Sequence, residues 1–564
     1  MGKRIDPGSI RSEKGMVLVT ALLLLAVLTI LGTAYFIQTS TDIKISTNFR
    51  TSREAFYAAE AAVEYRIEKL DQALRILNLN LNFAAPVMTG FTFVLPNIQP
   101  PTSTQRVLTE GNFTGLTAFG DEYIVEATAN GANNASCTIE ARVENTMIPV
   151  FQFGIFYEND LEMLPGANMT FSGGRIHSNN DIYMNPDGSA TLTVDSIVTS
   201  AGDIYHRRKD RTGTTGTVRI KDGEGNDQNM TVDSDSTPWQ TESQELWDGR
   251  VKTDVHGVEK LNLPMPSDTP RDILSTGTEG MFAKAGLKII NGTGYDKSGN
   301  VVELKYLDLT HVDGSGNLII DAGCDGINNN VNPIQQIDDK FYDQREGRPI
   351  DTTVIDMEKL LGNATVLNKL NDPPADCDSG ILYIASTNQS IEIIEGADLS
   401  PLSSTGLTVA TNNPLYLEGD YNSTGTPVPA SVIADAVTVL SNNWNDGNST
   451  STNLDDRLAS NTIVNAAIMA GNRETVVSDY SGGVENFIRF LEKWSGKTLT
   501  YSGSLVCLWQ SEQATEEWHY GSPVYTAPNR IWSYGIDPTR LPPGTPRVRT
   551  LTIKSWRVKS QEYI

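Results

Sequence analysis

The chain has 564 residues, with 44 Lys and Arg against 69 Asp and Glu, a net charge of −25. A balance this acidic argues against a broad grip on nucleic acid, which needs clustered Lys and Arg to neutralise phosphates. Hydrophobic residues make up 39%, enough for a core and too few for a polytopic membrane protein. Four Cys are too few for a disulfide scaffold, and no CxxC, HxxxH or HExxH spacing offers a zinc site. Abundant Gly, Asn, Ser and Thr favour β-structure with many turns.

Charge is unevenly placed. Residues 1–80 carry ten Lys and Arg and eight Asp and Glu, which leaves −27 for the remainder. Lys3, Arg4, Arg11 and Lys14 outweigh Asp6 and Glu13 at the start, and residues 16–41 then carry no charge. The apolar part, residues 16–37, spans about 33 Å as a helix, enough for the ~30 Å of bilayer hydrocarbon. A secretory signal fits poorly, because the run is too long and Gly32-Thr33-Ala34 is no A-x-A-like site. A membrane anchor fits the length and the basic flank. A third reading rests on Lys14-Gly15-Met16, a short basic leader ending in Gly directly before the apolar run.

Residues 41–77 contain neither Pro nor Gly, so the helix is expected to continue past the membrane. Phe56, Ala59, Val63, Ile67, Leu70, Leu74 and Leu77 form one apolar stripe at helical spacing. Glu60, Glu64, Arg66, Glu68 and Lys69 are expected on the remaining surface. A tether needs no such amphipathic extension. A helix half in the membrane and half packed on a globular head does, and a coiled-coil stalk is the plainer alternative.

The run from Gly15 to Leu25 (GMVLVTALLLL), the later Gly32, and residues 53–62 (REAFYAAEAA) occur in one order. Together they resemble the N-terminal domain of PilX-type minor pilins of the type IV pilus, over about residues 11–70. The resemblance implies a prepilin leader cut between Gly15 and Met16, a retained helix and an N-methylated Met16. It also implies an inner-membrane single pass with the head outward. The implied partners are a prepilin peptidase, other major and minor pilins and the pilus assembly machinery. One departure stands out. Major pilins carry Glu at the fifth mature position, where it is thought to neutralise a neighbour's N-terminal amine in the apolar filament core. Here that position is Thr20, which suits a rare subunit near the tip better than a repeating shaft subunit.

Beyond the helix, residues 81–104 with Pro86, Pro96, Pro100 and Pro101 read as a connector. Residues 122–127 and 136–144 read as a hairpin; the second strand alternates with period 2, and residues 130–134 supply turn formers. From residue 151 the texture changes. HSNNDIY at 177–183 is echoed by TSAGDIY at 199–205, an offset of 22, and more weakly by LEGDY at 417–421. Short β runs at ~20–25 residue spacing suggest β-solenoid coils, with an irregular β-sandwich as alternative. Residues 203–220, 222–245 and 442–459 read as surface excursions, and residues 483–494 (GVENFIRFLEKW) as one amphipathic helix. The segments 151–157, 173–184, 414–422 and 432–446 also resemble the large head found behind the PilX-type N-terminus in some pilus assembly proteins.

Candidate chemistry is sparse. His177 beside Asp181 reads as a turn residue at a coil corner rather than half of a catalytic pair. Arg207, Arg208, Lys209 and Arg211 form a basic cluster, read as a solvated loop. Asp321, Asp325, Asp338 and Asp339 around Gly-rich sequence are a weak calcium candidate that fails the EF-hand pattern. Cys324 and Cys377 are a disulfide candidate on the envelope side, while Cys137 and Cys507 read as core. Trp494, Trp509, Trp518 and Trp532, with Tyr520, Tyr525 and Tyr534, concentrate aromatics near the C-terminus, read mainly as core and secondarily as a carbohydrate or partner site. There is no GxSxG, no nucleotide fingerprint and no recognisable carboxylate pair.

The expected fold is mainly β with a long N-terminal α-helix: a pilin-like helix plus hairpin, then a β-solenoid-like or irregular β head. The expected divisions are 1–15 leader, 16–80 helix, 81–150 connector and hairpin, and 151–564 head. The expected role is a non-enzymatic minor pilin in pilus assembly or initiation, at or near the tip, with adhesion as a second role and no cofactor. The alternatives are a K-type pseudopilin of type II secretion and a membrane-anchored β-solenoid enzyme or adhesin acting on polysaccharide.

Overall fold

The computed structural model describes residues 13–99, 101, 103–210, 213–307, 330–371, 379–477 and 479–562. Helix α1 (Glu13–Arg75) runs unbroken through the apolar span into the body. No Pro interrupts it, and its hydroxyls fold back on its own carbonyls: Thr29 Oγ1 donates to Leu25 O at 2.6 Å and Thr33 Oγ1 to Thr29 O at 2.7 Å. The second half docks on a sheet. Ala55, Ala58, Ala59, Ala62, Val63 and Leu70 are buried against Tyr123, Val125, Ile139, Ala141 and Val143. The expected stripe is therefore present but recentred. A row of alanines lets the helix approach closely, Phe56 and Ile67 pack at its margins, and Leu77 lies beyond the helix and exposed.

The sheet under α1 is built from β1 (Thr92–Val94), β2 (Ser103–Val107), β3 (Thr117–Asn130) and β4 (Ser136–Pro149). β1 and β2 pair with β3, and β3 pairs antiparallel with β4 from Phe119↔Met147 to Asn130↔Ser136. The hairpin thus exists where the alternation placed it, its first strand longer at both ends and its second running on to Pro149. The fifth member is the C-terminal strand Arg547–Glu562, antiparallel to β4 from Arg547↔Pro149 to Glu562↔Ser136. The chain leaves this sheet after β4 and returns to it only after about 400 residues.

Between exit and return lies the β-rich head. Its largest sheet contains β5 (Phe153–Tyr157), β6 (Arg175–Ser178), β7 (Val198–Ser200) and β8 (Val251–Lys252), stacked in that order in parallel. The chain then crosses to the far end of the same sheet. From there β9 (Leu287–Ile290), β10 (Ile381–Ala385), β11 (Leu407–Thr411), β12 (Ala430–Ala434), β13 (Ala467–Ala470) and β14 (Leu505–Cys507) step back, all parallel, until β14 pairs with β5. Entry and exit therefore meet in the middle of the stack, beside the sheet that carries α1. Parallel ladders of this kind are buried on the inner face and read as apolar runs, as in the fully buried β11 and β12.

The 22-residue echo is a physical stack. His177 pairs with Thr199, and Tyr183 pairs with Tyr205. The two tyrosine rings stack at 5.1 Å, and each hydroxyl donates to the Asp two residues before it, Tyr183 to Asp181 at 3.2 Å and Tyr205 to Asp203 at 3.1 Å. Three expectations are corrected. Residues 483–494 are not a helix but a 3-10 turn, Val484–Asn486, followed by the strand Ile488–Arg489 on Val437–Leu440. Gly482 and Gly483 at φ +96° and +64° start the segment, and burial is near continuous along it, so no exposed helix face exists. Within the excursion at 203–245, Thr217–Lys221 joins the stack beside Thr191–Asp195 with Val218 and Ile220 buried, and the helix Trp239–Trp247 buries both its tryptophans. His177 is not at a corner; it is fully buried in β6.

Candidate functional site

The feature that organises the molecule is α1. Its apolar half is long and apolar enough to cross a membrane by length and composition, and none of that window is buried in the protein. Leu22, Leu24, Leu28, Ile30 and Phe36 all stand exposed. Gly15 and Met16 lie in the first turns of this helix. Thr20 Oγ1 donates to Met16 O at 2.7 Å and Val17 O at 3.1 Å. The hydroxyl is consumed inside the helix and places no charge on the apolar surface, in contrast to a glutamate at that position.

Two buried arginines fix the other half of α1 to the body. Arg66, expected on the surface, is 1% exposed. Its Nη2 donates to Pro96 O at 2.7 Å, and its Nη1 donates to Glu126 O, so it ties the helix to both connector and β3. Burial lowers its pKa. Arg549, on the C-terminal strand and also 1% exposed, donates to Asp71 Oδ1 of α1 at 2.8 Å and to Asn145 Oδ1 of β4. Its backbone exchanges two hydrogen bonds with Asn262 of the crossing segment, at 2.8 and 3.0 Å. One residue thus links helix, sheet and head. Sequence reasoning missed both, since a lone Arg carries no pattern that distinguishes a buried clamp from a surface charge.

Of the other candidates, Asp338 and Asp339 lie exposed on the strand Ile334–Asp343, with Asp339 N–H donating to Asp351 at 2.9 Å. Asp321, Asp325, Cys324 and Cys377 lie outside the described residues. Cys137 and Cys507 are buried and unbridged. The basic cluster is ringed by carboxylates: Arg207 meets Asp233 at 3.6 Å and Asp235 at 3.8 Å, Arg208 donates to both carboxylate oxygens of Asp210, and Lys209 meets Asp160 and Glu474, each at 2.8 Å. Arg211 lies outside the described residues. His177 shares hydrogen bonds with Thr199 Oγ1 at 2.9 Å and Asn179 Oδ1 at 3.0 Å, ringed by Phe113, Phe153 and Phe156.

Inside the head several carboxyls are buried. Burial pushes Glu492 up to about 7, although Ser441 donates to it from both N–H at 2.6 Å and Oγ at 2.7 Å. Burial likewise raises Glu162 and Glu485 to about 7. These groups hold a proton in the fold at pH 6 that the unfolded chain releases above about 4.5. Folding takes up protons there, so stability falls as pH rises from about 4.5 to 7. His177 acts oppositely: burial lowers it to about 4, and its contribution is present above 6.5 and lost as pH falls towards 4. We expect Glu492→Gln to reduce this loss by about 3 kcal/mol, the free-energy equivalent of its shift, measured as denaturant midpoints at pH 5 and pH 8. His177→Gln is expected to flatten the acid limb instead.

With the geometry in place, comparison with known proteins adds one assignment. Residues 14–64 match the PilX N-terminal family. Among curated proteins nothing matches the chain. The crystal structure of the competence-associated pilin ComZ from Thermus thermophilus aligns over 91% of this chain and 98% of that one, at 12% identity and a TM-score of 0.28. A score that low carries no argument. The family match covers the whole apolar span of α1 and the first part of its alanine-lined seat on the sheet. Residues 14–64 of this helix thus form a segment similar to the PilX N-terminal family of type IV pilus proteins.

Proposed function

We propose that the chain is a minor pilin that acts in assembly or initiation of a type IV pilus, at or near its tip. A prepilin peptidase cuts between Gly15 and Met16, and the apolar half of α1 waits in the inner membrane with the head outside. The assembly machinery then draws it into the filament, where exposed apolar residues such as Leu22 and Leu24 exchange lipid contacts for packing on other pilins. The single observation that carries this reading is the family match on a helix whose first half has no partner within the protein.

Position in the filament is argued from bulk and charge. A head of about 400 residues between β4 and the C-terminal strand obstructs repeated lateral packing. The neutral Thr20 offers no partner for a buried amine. Both support a terminal rather than a repeating place. The parallel ladders with stacked echoes support a β-solenoid reading of the head. A tip place turns that head outward, which makes adhesion its natural second role. The test is gold labelling of sheared pili with an antibody to the head, in cells with and without the gene. Label confined to filament ends, with fewer pili in the deletion, is the expected result. Label spaced along the shaft sinks the tip assignment, and unchanged piliation sinks the assembly role.

A further inference from the structure

A cleft of about 660 Å³ opens on the head, lined among others by Tyr480, Trp518, Tyr520, Tyr525, Glu485 and Arg530. Its walls are aromatic. Tyr480 and Trp518 meet edge to face at 5.1 Å, and Tyr520 and Tyr525 at 5.6 Å. Trp518 Nε1 donates to Tyr525 Oη at 2.9 Å, and Tyr525 donates in turn to Asn486 Oδ1. The rings are therefore held rigidly, while Tyr520 stays 55% exposed at the rim.

The polar groups beneath these rings are incompletely paired. Glu485 is 4% exposed, and only backbone N–H groups, its own and that of Leu164, approach its carboxyl. The Tyr480 hydroxyl and Arg530 Nε are buried without a partner, although Arg530 Nη2 donates to Glu485 O at 2.8 Å. Buried polar groups left unpaired are costly, and a ligand that bonds them recovers that cost. Both oxygens crowd Gly483, where a Cβ would sit 2.6 Å from Glu485 Oε2 and from the Tyr480 hydroxyl.

We propose that this cleft binds a neutral saccharide, one to three sugar units of a glycan. Aromatic faces take the C–H faces of pyranose rings, and the carboxyl, phenol and guanidinium serve their hydroxyls as acceptor and donors. An apolar ligand would leave the Tyr480 hydroxyl and Arg530 Nε without partners. A quaternary ammonium would suit the rings but would meet Arg530, and Arg208 lying 4.5 Å over the Tyr480 ring. Guanidinium donors beside a carboxyl that burial holds towards its neutral form favour a neutral polyhydroxylated ligand. The inference gives the adhesive role its ligand class, yet it rests on the cleft alone, so a failure to bind sugar leaves the assembly role standing.

The test titrates the detergent-purified full chain with triacetylchitotriose, cellotriose, maltotriose and choline, read by calorimetry and tryptophan fluorescence. The expected result is saturable binding of at least one trisaccharide and none of choline. Trp518→Ala and the rim variant Tyr520→Ala, which leaves the core untouched, are each expected to weaken it about tenfold. Binding of choline alone, binding of none of the four, or trisaccharide binding that both variants leave unchanged would overturn the proposal.

Discussion

Removing the C-terminal strand, residues 547–562, is expected to unseat the sheet that carries α1. The strand pairs with β4 along its whole length. It also brings Lys554 to Glu144 at 2.9 Å and Arg557 to Glu140 at 2.7 Å, both carboxylates being nearly buried. Without it β4 becomes a long unpaired edge, and those carboxylates lose cations that offset their burial. The truncated chain is expected to aggregate, or to be cut by protease between β4 and the head, under conditions that leave the full chain intact. The single substitution Arg549→Ala isolates the clamp. It leaves Asn145 without its donor, and Asp71 keeps only Arg75 at 3.0 Å. A loss of about 3 kcal/mol is expected, read as a lower denaturant midpoint in detergent.

Arg66→Ala carries the second large effect. Two backbone carbonyls, Glu126 O and Pro96 O, lose their donor inside a closed interface, and the stem of a 1%-exposed side chain leaves a cavity. The expected cost is about 3 kcal/mol, concentrated at the helix–sheet seat. Hydrogen exchange separates this from a global effect. Amides of β3 and of residues 55–70 are expected to lose protection, while those of β11 and β12 in the head keep theirs.

The N-terminal half of this architecture was legible because it is written in periodicity. An uncharged run of bilayer length, a 3–4 spaced stripe and a period-2 hairpin each depend on neighbours in sequence; the run and the hairpin are where the pattern put them, and the stripe is only shifted towards the alanines. Stacking was legible at His177/Thr199 and Tyr183/Tyr205, where equivalent positions repeat at a fixed offset. What was not legible depends on distant partners. Nothing local announces that residues 547–562 return to β4, that Arg66 is buried under β3, or that the crossing after β8 carries the chain to the far end of the stack. Residues 483–494 misled because apolar residues at helical spacing do not say whether the intervening ones are also buried; here they are. The aromatic concentration near the C-terminus divides between core, as with Trp494, and the walls of the cleft, as with Trp518 and Tyr520.

The central proposal is that α1 is a pilin assembly helix, made from a precursor by one cut. Its most direct test is the mass of the N-terminal peptide of the full chain, expressed with and without a prepilin peptidase. The account predicts a peptide beginning at Met16 and carrying an N-methyl group, only when the peptidase is present. An intact leader in its presence, or a cut after residues 32–34, would contradict it and leave α1 as an ordinary anchor or signal.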